Sequence, residues 1–285
     1  MNKFNLNNNQ VNQNKKSRAK KVLLYTLLLI FISIIVVAIV DRTTVYNTYY
    51  KNQQNIDIPV FVYHNIVIDK KDIEYDYMQT DLETFKGQIE GIKSLGYNPT
   101  TIEKLNKYNK GEIPLQRFSF IITFDDGYEG IYTNLFPYVK ETKLPIAVFI
   151  NNDTMGTDGF LTWEQAKEMH DSGYVSIYSH GYSHIEYNRV ENSKVIEETK
   201  KSMQEIKDKL DDQSILDVFC YPYGLYTESQ LEDFKKEGFI ICLTDNKINR
   251  SDDLRLEAIH RSYPLEDSYI KIVIKILYRL VRYGG

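Results

Sequence analysis

Cysteine is scarce, with two residues in 285. Two thiols, Cys220 and Cys242, cannot build a disulfide framework, and neither sits at a metal-ligand spacing. On consecutive expected strands they read as two buried thiols rather than a bridge. No repeat period and no internal linker interrupt the chain. Long apolar runs are limited to one, which excludes a polytopic membrane protein but leaves room for a single span. A hydrophobic share of 42% with 26% charged residues excludes a disordered chain and a collagen. Positive charge is short everywhere except the amino terminus. Lys3, Lys15, Lys16, Arg18, Lys20 and Lys21 are unopposed by any acid, so the remainder carries 29 basic against 39 acidic residues. An acidic body disfavours nucleic acid as a partner, because phosphate contacts need clustered Lys and Arg.

The one apolar run covers residues 22–40 (VLLYTLLLIFISIIVVAIV), 19 positions without a charge. At about 1.5 Å per residue it measures about 28 Å, close to the hydrocarbon thickness of a bilayer. It exceeds the apolar part of a signal peptide, about 7–15 residues, and no small-x-small cleavage site follows it. The basic residues before it place that side in the cytoplasm. The expected organisation is a cytoplasmic basic tail (1–21), a transmembrane signal-anchor (22–40), a polar stalk (41–57) and an extracellular catalytic domain (58–285) held at the cell membrane. A cleaved signal sequence or a buried core helix is the alternative. The Asn-rich stretch 4–14 reads as a disordered tail.

Beyond residue 59, short apolar runs alternate with segments of helical period. Strands are expected at 60–63, 119–123, 146–150, 175–178, 217–221 and 239–243, and helices at 81–95, 131–142, 162–172, 193–210, 228–237 and 268–283. Thr162 and Thr227 are N-cap residues, and Gly173 and Gly238 sit where a helix would end. Near-continuous apolar strands alternating with helices predict an α/β fold with a parallel sheet, open or closed into a barrel. In such folds the chemistry lies at the carboxyl ends of strands. Three of the five histidines fall at or just after those ends, as His64, His180 and His184. Asp125 and Asp126 share another strand end, and Tyr221-Pro222-Tyr223-Gly224 occupies a third.

Two adjacent acids at one strand tip repel unless they diverge or a cation compensates them. His180 and His184 have the i, i+4 spacing that would put both rings on one face of a helical turn. Two imidazoles and one carboxylate form a facial set suited to Zn²⁺, Fe²⁺, Co²⁺ or Ni²⁺, with positions left for water and substrate. The second carboxylate is then available as general base. His64 can protonate a leaving group or stabilise an oxyanion, with His260 as rival. Trp163, at a helix start beside a loop, is a candidate for lining a sugar site, with core packing the alternative. Aspartates that cap a helix and histidines on the surface are the reading without function.

The segments PVFVYHNIV, FSFIITFDDGY, LTWEQAKEMHDSGYVSIYSHGYSH and FCYPYGLYTESQLEDFKKEGF occur in that order between residues 59 and 239. Together they resemble the polysaccharide deacetylases, the NodB-homology carbohydrate esterases (family 4), and in particular exported poly-N-acetylglucosamine or peptidoglycan N-deacetylases. The resemblance implies a distorted parallel (β/α) barrel and hydrolysis of N-acetyl groups on glycans rich in N-acetylglucosamine. It implies Asp125 as general base, Asp126, His180 and His184 as ligands of one divalent metal ion, zinc first with cobalt, nickel or iron as alternatives, and the Tyr223 amide beside Pro222 as an oxyanion donor. Many members carry an arginine two residues before the motif proline, where this chain has Cys220; Arg261 or Arg255 could substitute. The amino-terminal Tyr63-His64 resembles the acid of a permuted subset, so His64 is the expected acid and His260 the second choice. A glycan-binding relic without activity and a metal-dependent phosphoesterase are the rival functions.

Overall fold

The computed structural model describes residues 25–26, 58–74, 78–116, 118–244, 247, 249 and 254–264. The expected span at 22–40, the tail, the stalk and the helix at 268–283 lie outside them, apart from Tyr25 and Thr26, which are helical. Among the described residues no helix is long and apolar enough to cross a membrane.

From residue 58 onward, seven strands form one parallel sheet in the order β1 (Val60–Tyr63), β5 (Ser119–Phe124), β6 (Ile146–Ile150), β7 (Val175–Ser179), β8 (Val218–Cys220), β9 (Ile240–Thr244) and β10 (Ile259–Arg261). A parallel bridge between Phe61 and Ser262 returns the last strand to the first. Val62 N–H donates to Ser262 O at 3.1 Å and Ser262 N–H to Val60 O at 2.9 Å. The result is a nearly closed barrel, distorted where β7 meets β8 through the Ser179–Phe219 pair alone among the described register. A small parallel pair, β2 (Asn65–Val67) with β3 (Gln79–Asp81), branches off after β1, and β4 (Asn98–Pro99) flanks the start of β5.

Alternation along each strand divides the core in two. One set faces into the barrel, including Val60, Ile121, Ala147, Phe149, Tyr178, Val218, Cys220, Cys242 and Ile259. The other faces the helices, with Phe61, Ile122, Phe124, Val148, Ile150 and Ile177 packed against Phe85, Ile89, Val139, Met169 and Ile206. Both faces are therefore buried, which is why these strands read as unbroken apolar runs. Emptying an inner position such as Phe149, fully buried, would cost about 3–5 kcal/mol.

Six α-helices surround the described barrel: α1 (Leu82–Ser94), α2 (Ile102–Asn109), α3 (Phe136–Thr142), α4 (Trp163–Asp171), α5 (Asn192–Leu210) and α6 (Glu228–Glu237). Thr162 and Thr227 close reciprocal capping boxes with Gln165 and Gln230. Gly238 takes a left-handed φ of 79° at the end of α6.

Three expectations change. The helix expected at 131–142 is a wide π turn over Ile131–Leu135 followed by α3; Pro137 lacks an N–H, so the helical ladder cannot run through it unbroken, and α3 starts afresh with the proline in its first turn. β2, β3, β4, β10 and α2 were not expected, because two- and three-residue strands carry no period and α2 buries only Ile102 and Leu105. Third, His180 to His184 is a loop and not a helical turn. Gly181 (φ 91°) and His184 (φ 52°) adopt left-handed backbone there. A side chain on Gly181 would strike Tyr187 Oη, 2.5 Å from an ideal Cβ.

Candidate active site

The inward-facing positions at the carboxyl ends of the strands are His64 after β1, Asp125 after β5 and His180 after β7, with Cys220 closing β8 and Arg261 closing β10. The tips of β1 and β5 are tied by Asp125 N–H donating to Tyr63 O at 2.9 Å. Past Asp125 the chain turns sharply. Asp126 takes φ 70° and Gly127 φ 76°, so the two neighbouring carboxylates diverge instead of repelling. A Cβ on Gly127 would lie 2.9 Å from Ile150 Cγ2, so both conformation and space demand glycine there.

Asp126 is brought against both loop histidines. Its Oδ1 lies 3.1 Å from His184 Nε2 and 3.4 Å from His180 Nε2. His180 Nδ1 is 2.9 Å from Cys220 O. A carbonyl only accepts, so Nδ1 carries a proton, and Nε2 is the nitrogen turned toward Asp126, a donor when protonated and a ligand when not. The three ligand atoms lie within 4.8 Å of one another. Asp126 and His180 are buried and His184 is half-buried, so the cluster is closed below and open at the mouth. Burial pushes the Asp126 carboxyl up, but hydrogen bonds from His180 and His184 outweigh it and hold it far below the usual carboxylate range. Burial likewise disfavours a charged His180, yet Cys220, Asp125 and Asp126 raise it well above an ordinary histidine. A point that holds a proton this strongly is a point that favours positive charge. The donor set, one carboxylate oxygen and two imidazole nitrogens, fits a divalent cation.

A second grouping, Asp125, His180 and Cys220, also lies within 4.8 Å, but its carboxylate is already engaged. Arg261 Nη1 donates to Asp125 Oδ1 and Nη2 to Oδ2, both at 2.7 Å. The fork is itself held: Nη1 reaches Thr123 Oγ1 at 3.0 Å, Nη2 reaches Thr244 Oγ1 at 2.8 Å, and Cys220 Sγ stands 2.5 Å from Nη2. The guanidinium carbon lies 5.2 Å over the Phe149 ring. Burial alone would raise the Asp125 pKa, but the Arg261 and His180 charges bring it below its ordinary value. Arg261 is one of the largest fully buried side chains in the protein, and a buried ion of either sign needs this kind of partner.

His64 is 8% exposed. Its ring lies parallel to Tyr263 at 6.1 Å, and its Nδ1 is buried with no protein partner among the described residues. Burial lowers its pKa against the pull of Asp125 and Asp126. His260 is on β10 beside Arg261 and faces the other way. It lines an outer cavity of about 330 Å³ with Tyr226, Glu228, Asn249 and Arg255. The structure thus brings His64 and Arg261 to the cluster and leaves His260 and Arg255 on the outer side.

Residues 113–241 match the family model for polysaccharide deacetylase. The putative polysaccharide deacetylase YxkH of Bacillus subtilis is 25% identical over 75% of this chain and 74% of its own length. The poly-beta-1,6-N-acetyl-D-glucosamine N-deacetylase of Staphylococcus epidermidis is 27% identical over 63% of this chain, which spans just under two thirds, 65%, of that relative. Among solved structures, the Streptococcus pyogenes deacetylase PplD superposes with a TM-score of 0.67 at 20% identity, over 78% of this chain and 98% of that one; it shares the fold.

Over residues 113–241 the chain is similar to the polysaccharide deacetylases.

In this chain the sulfur of Cys220 stands where the resemblance leads one to expect an arginine, and the guanidinium arrives instead from β10, across the barrel. Pro222–Gly224 forms a tight turn in which Tyr223 takes φ 58°. The residue is 63% exposed, with its ring centroid 4.6 Å from that of His184. Trp163 opens α4 and packs partly buried against the helix-side core, with Lys209 Nζ 5.8 Å from its ring centre. Both cysteines are buried and free, and they face each other in the β8–β9 register. Thr123, Thr244 and Tyr263 escaped sequence reasoning. They lie on the inward-facing parity of their strands, a signal that becomes usable once the register is known.

Proposed function

We propose that this deacetylase domain removes N-acetyl groups from a polymer of N-acetylglucosamine outside the cell, with poly-N-acetylglucosamine ahead of peptidoglycan as substrate. The observation that carries the reading is the pairing of two carboxylates with different fates at one strand tip. Asp126 faces two imidazoles, whereas Asp125 is clamped by Arg261 (2.7 Å at each oxygen). Asp126, His180 and His184 would hold one divalent cation, zinc by the chemistry of the donors. When bound, such an ion acidifies water and polarises a carbonyl oxygen.

The remaining work falls to the chain. Asp125 keeps lone pairs beyond those given to Arg261 and serves as the base that takes the proton of the attacking water. The Tyr223 backbone N–H donates to the oxygen on which charge develops. His64, neutral at rest because of burial, picks up a proton in the field of the two carboxylates and passes it to the departing amine. The exposed Tyr223 ring offers an apolar face to a sugar, with Trp163 as a candidate outer contact. The acidic body suits an uncharged glycan that becomes cationic as it reacts.

Supporting the location, residues 22–40 carry no charge and follow a basic tail, the pattern of a cytoplasm-in anchor. The S. epidermidis relative is named for poly-beta-1,6-N-acetyl-D-glucosamine, which supports the substrate order.

Acetate release from a β-1,6-linked N-acetylglucosamine oligomer and from peptidoglycan, before and after chelation and zinc repletion, tests this. Release that stops on chelation, returns with zinc and is lost together with bound zinc in Asp126→Ala is the expected result. Release indifferent to chelation, or from neither glycan, would falsify the reading.

A further inference from the structure

β6 ends in two asparagines that face opposite ways. Asn152 turns outward to α5: its Nδ2 donates to Ser202 O at 3.3 Å and its Oδ1 accepts from Ser202 Oγ at 2.6 Å. Ser202 in turn meets Ser179 Oγ at 2.7 Å, so Asn152 supports the loop that carries His180. Asn151 is still extended (φ −97°, ψ 123°). Successive side chains alternate on extended backbone, so Asn151 shares the face of Phe149, whose ring belongs to the inner core beneath the Arg261 guanidinium.

Register fixes its height. Ile150 pairs with Ser179 and His180 N–H donates to Ile150 O at 2.8 Å. Asn151 therefore stands beside His180, about 4.8 Å away in the hydrogen-bonding direction, at the mouth of the barrel. It is 2% exposed, and its Oδ1 is buried without a protein partner among the described residues. A buried amide oxygen left without a donor is uncommon and costly, and here it faces the mouth rather than the scaffold.

We propose that Asn151 reads the acetamido group of the substrate. Its carboxamide oxygen accepts the hydrogen bond of the acetamido N–H, and this contact makes the enzyme prefer N-acetyl to O-acetyl groups. His64 sits on β1, two strands from β6 in the sheet order, so the proton that reaches the departing nitrogen arrives from a different side than the N–H that Asn151 holds. An ester offers an oxygen at that place. Two acceptors would then face each other, the situation in which a site built around an N–H discriminates best. The inference rests on the deacetylase reading given above and deepens it to the choice between amide and ester.

The test compares wild type, Asn151→Ala and the near-isosteric Asn151→Leu on two matched oligomers, one of N-acetylglucosamine and one of 2-O-acetylglucose with the same linkage. In both variants kcat/KM for the amide is expected to fall about 10- to 100-fold while that for the ester stays within about threefold of wild type. Retained ester turnover reports an intact fold, so the change in ratio is the readout. Three results overturn the inference: an equal fall on both substrates, an unchanged ratio, or loss of bound zinc, which would make Asn151 a ligand. Wild-type enzyme that releases acetate from neither oligomer defeats the deacetylase reading itself and takes this inference with it. Wild-type activity with an unshifted ratio in the variants defeats the Asn151 assignment alone.

Discussion

The two sides of the barrel mouth are assembled differently. On the β5–β7 side the strands pair at length, with β6 and β7 in register from Ile146–Val175 to Ile150–Ser179. Asp126, His180 and His184 come from two tips and one short loop there. On the side formed by β8, β10 and β1, β7 and β8 meet at one described pair, and the barrel closes through the Phe61–Ser262 bridge. That side supplies the Arg261 fork, 136 residues along the chain from Asp125, and His64. The first side is a cluster of donors around a point that favours a cation. The second is a set of braces and a histidine acting on a neighbouring carboxylate. Different substitutions should therefore remove different things.

The largest contrast is between the two aspartates. Asp125→Asn should lower kcat about 10²- to 10⁴-fold, the usual contribution of a positioned base, with zinc content unchanged by elemental analysis. Loss of zinc in Asp125→Asn would merge the two sides into one cluster.

Next come the two histidines that competed for one role. His64→Ala should lower kcat about 100-fold, whereas His260→Ala, on the outer face of β10, should stay within about twofold, as surface changes away from a site do. Activity lost in His260→Ala and kept in His64→Ala would move the acid to the outer cavity and break the comparison.

Much of the first side was legible in the sequence. DDG at the end of a six-residue strand rich in apolar residues, and histidines at and after a strand tip, name residues whose parity and strand ends follow from local patterning. Even there spacing alone points to the wrong conformation: i, i+4 predicts a helical turn for His180 and His184, while Gly181 and the left-handed backbone of His184 bring the rings together on a loop. The second side was hardly legible. β10 is three residues long, too short for a period, and nothing local distinguishes Arg261 from Arg255. Only closure of the barrel places Arg261 inside and His260 outside. Asn151 and Asn152 look alike in sequence, and one residue of strand parity gives them different environments.

A smaller effect tests the braces. Arg261→Lys keeps the charge but cannot form the two-point fork with Asp125, so kcat should fall about tenfold with KM little changed, the signature of a misplaced base. Arg261→Met leaves the Asp125 carboxylate buried and unpaired, and urea unfolding should show a loss of about 3–5 kcal/mol at neutral pH. A variant Arg261→Met as stable as wild type would mean that water reaches Asp125 and that this side is not closed.

The smallest expected effect is in the pH dependence of stability, measured by urea unfolding of chelator-treated protein. His64 has a lowered pKa, from burial opposed by Asp125 and Asp126. The unfolded chain therefore binds a proton at this residue near the ordinary value of about 6.5 before the folded chain does, and stability drains away as pH falls below that point. Asp125, held low by Arg261 and His180 against burial, acts in a separate window. Its contribution is complete above the unfolded carboxylate value, about 3.9, and is lost as pH drops toward the folded one. His180, raised well above an ordinary histidine, has the opposite sign: its contribution is present in acid and lost as pH rises through its folded pKa. The difference between wild type and His64→Gln subtracts the Asp125 and His180 contributions common to both. Stability of the variant should decline less than that of wild type as pH falls below about 6.5, and the two curves should run parallel once pH lies below the folded pKa of His64. Parallel curves throughout would mean that His64 meets solvent as freely in the folded chain as in the unfolded one, and that the second side of the mouth is as open as the first.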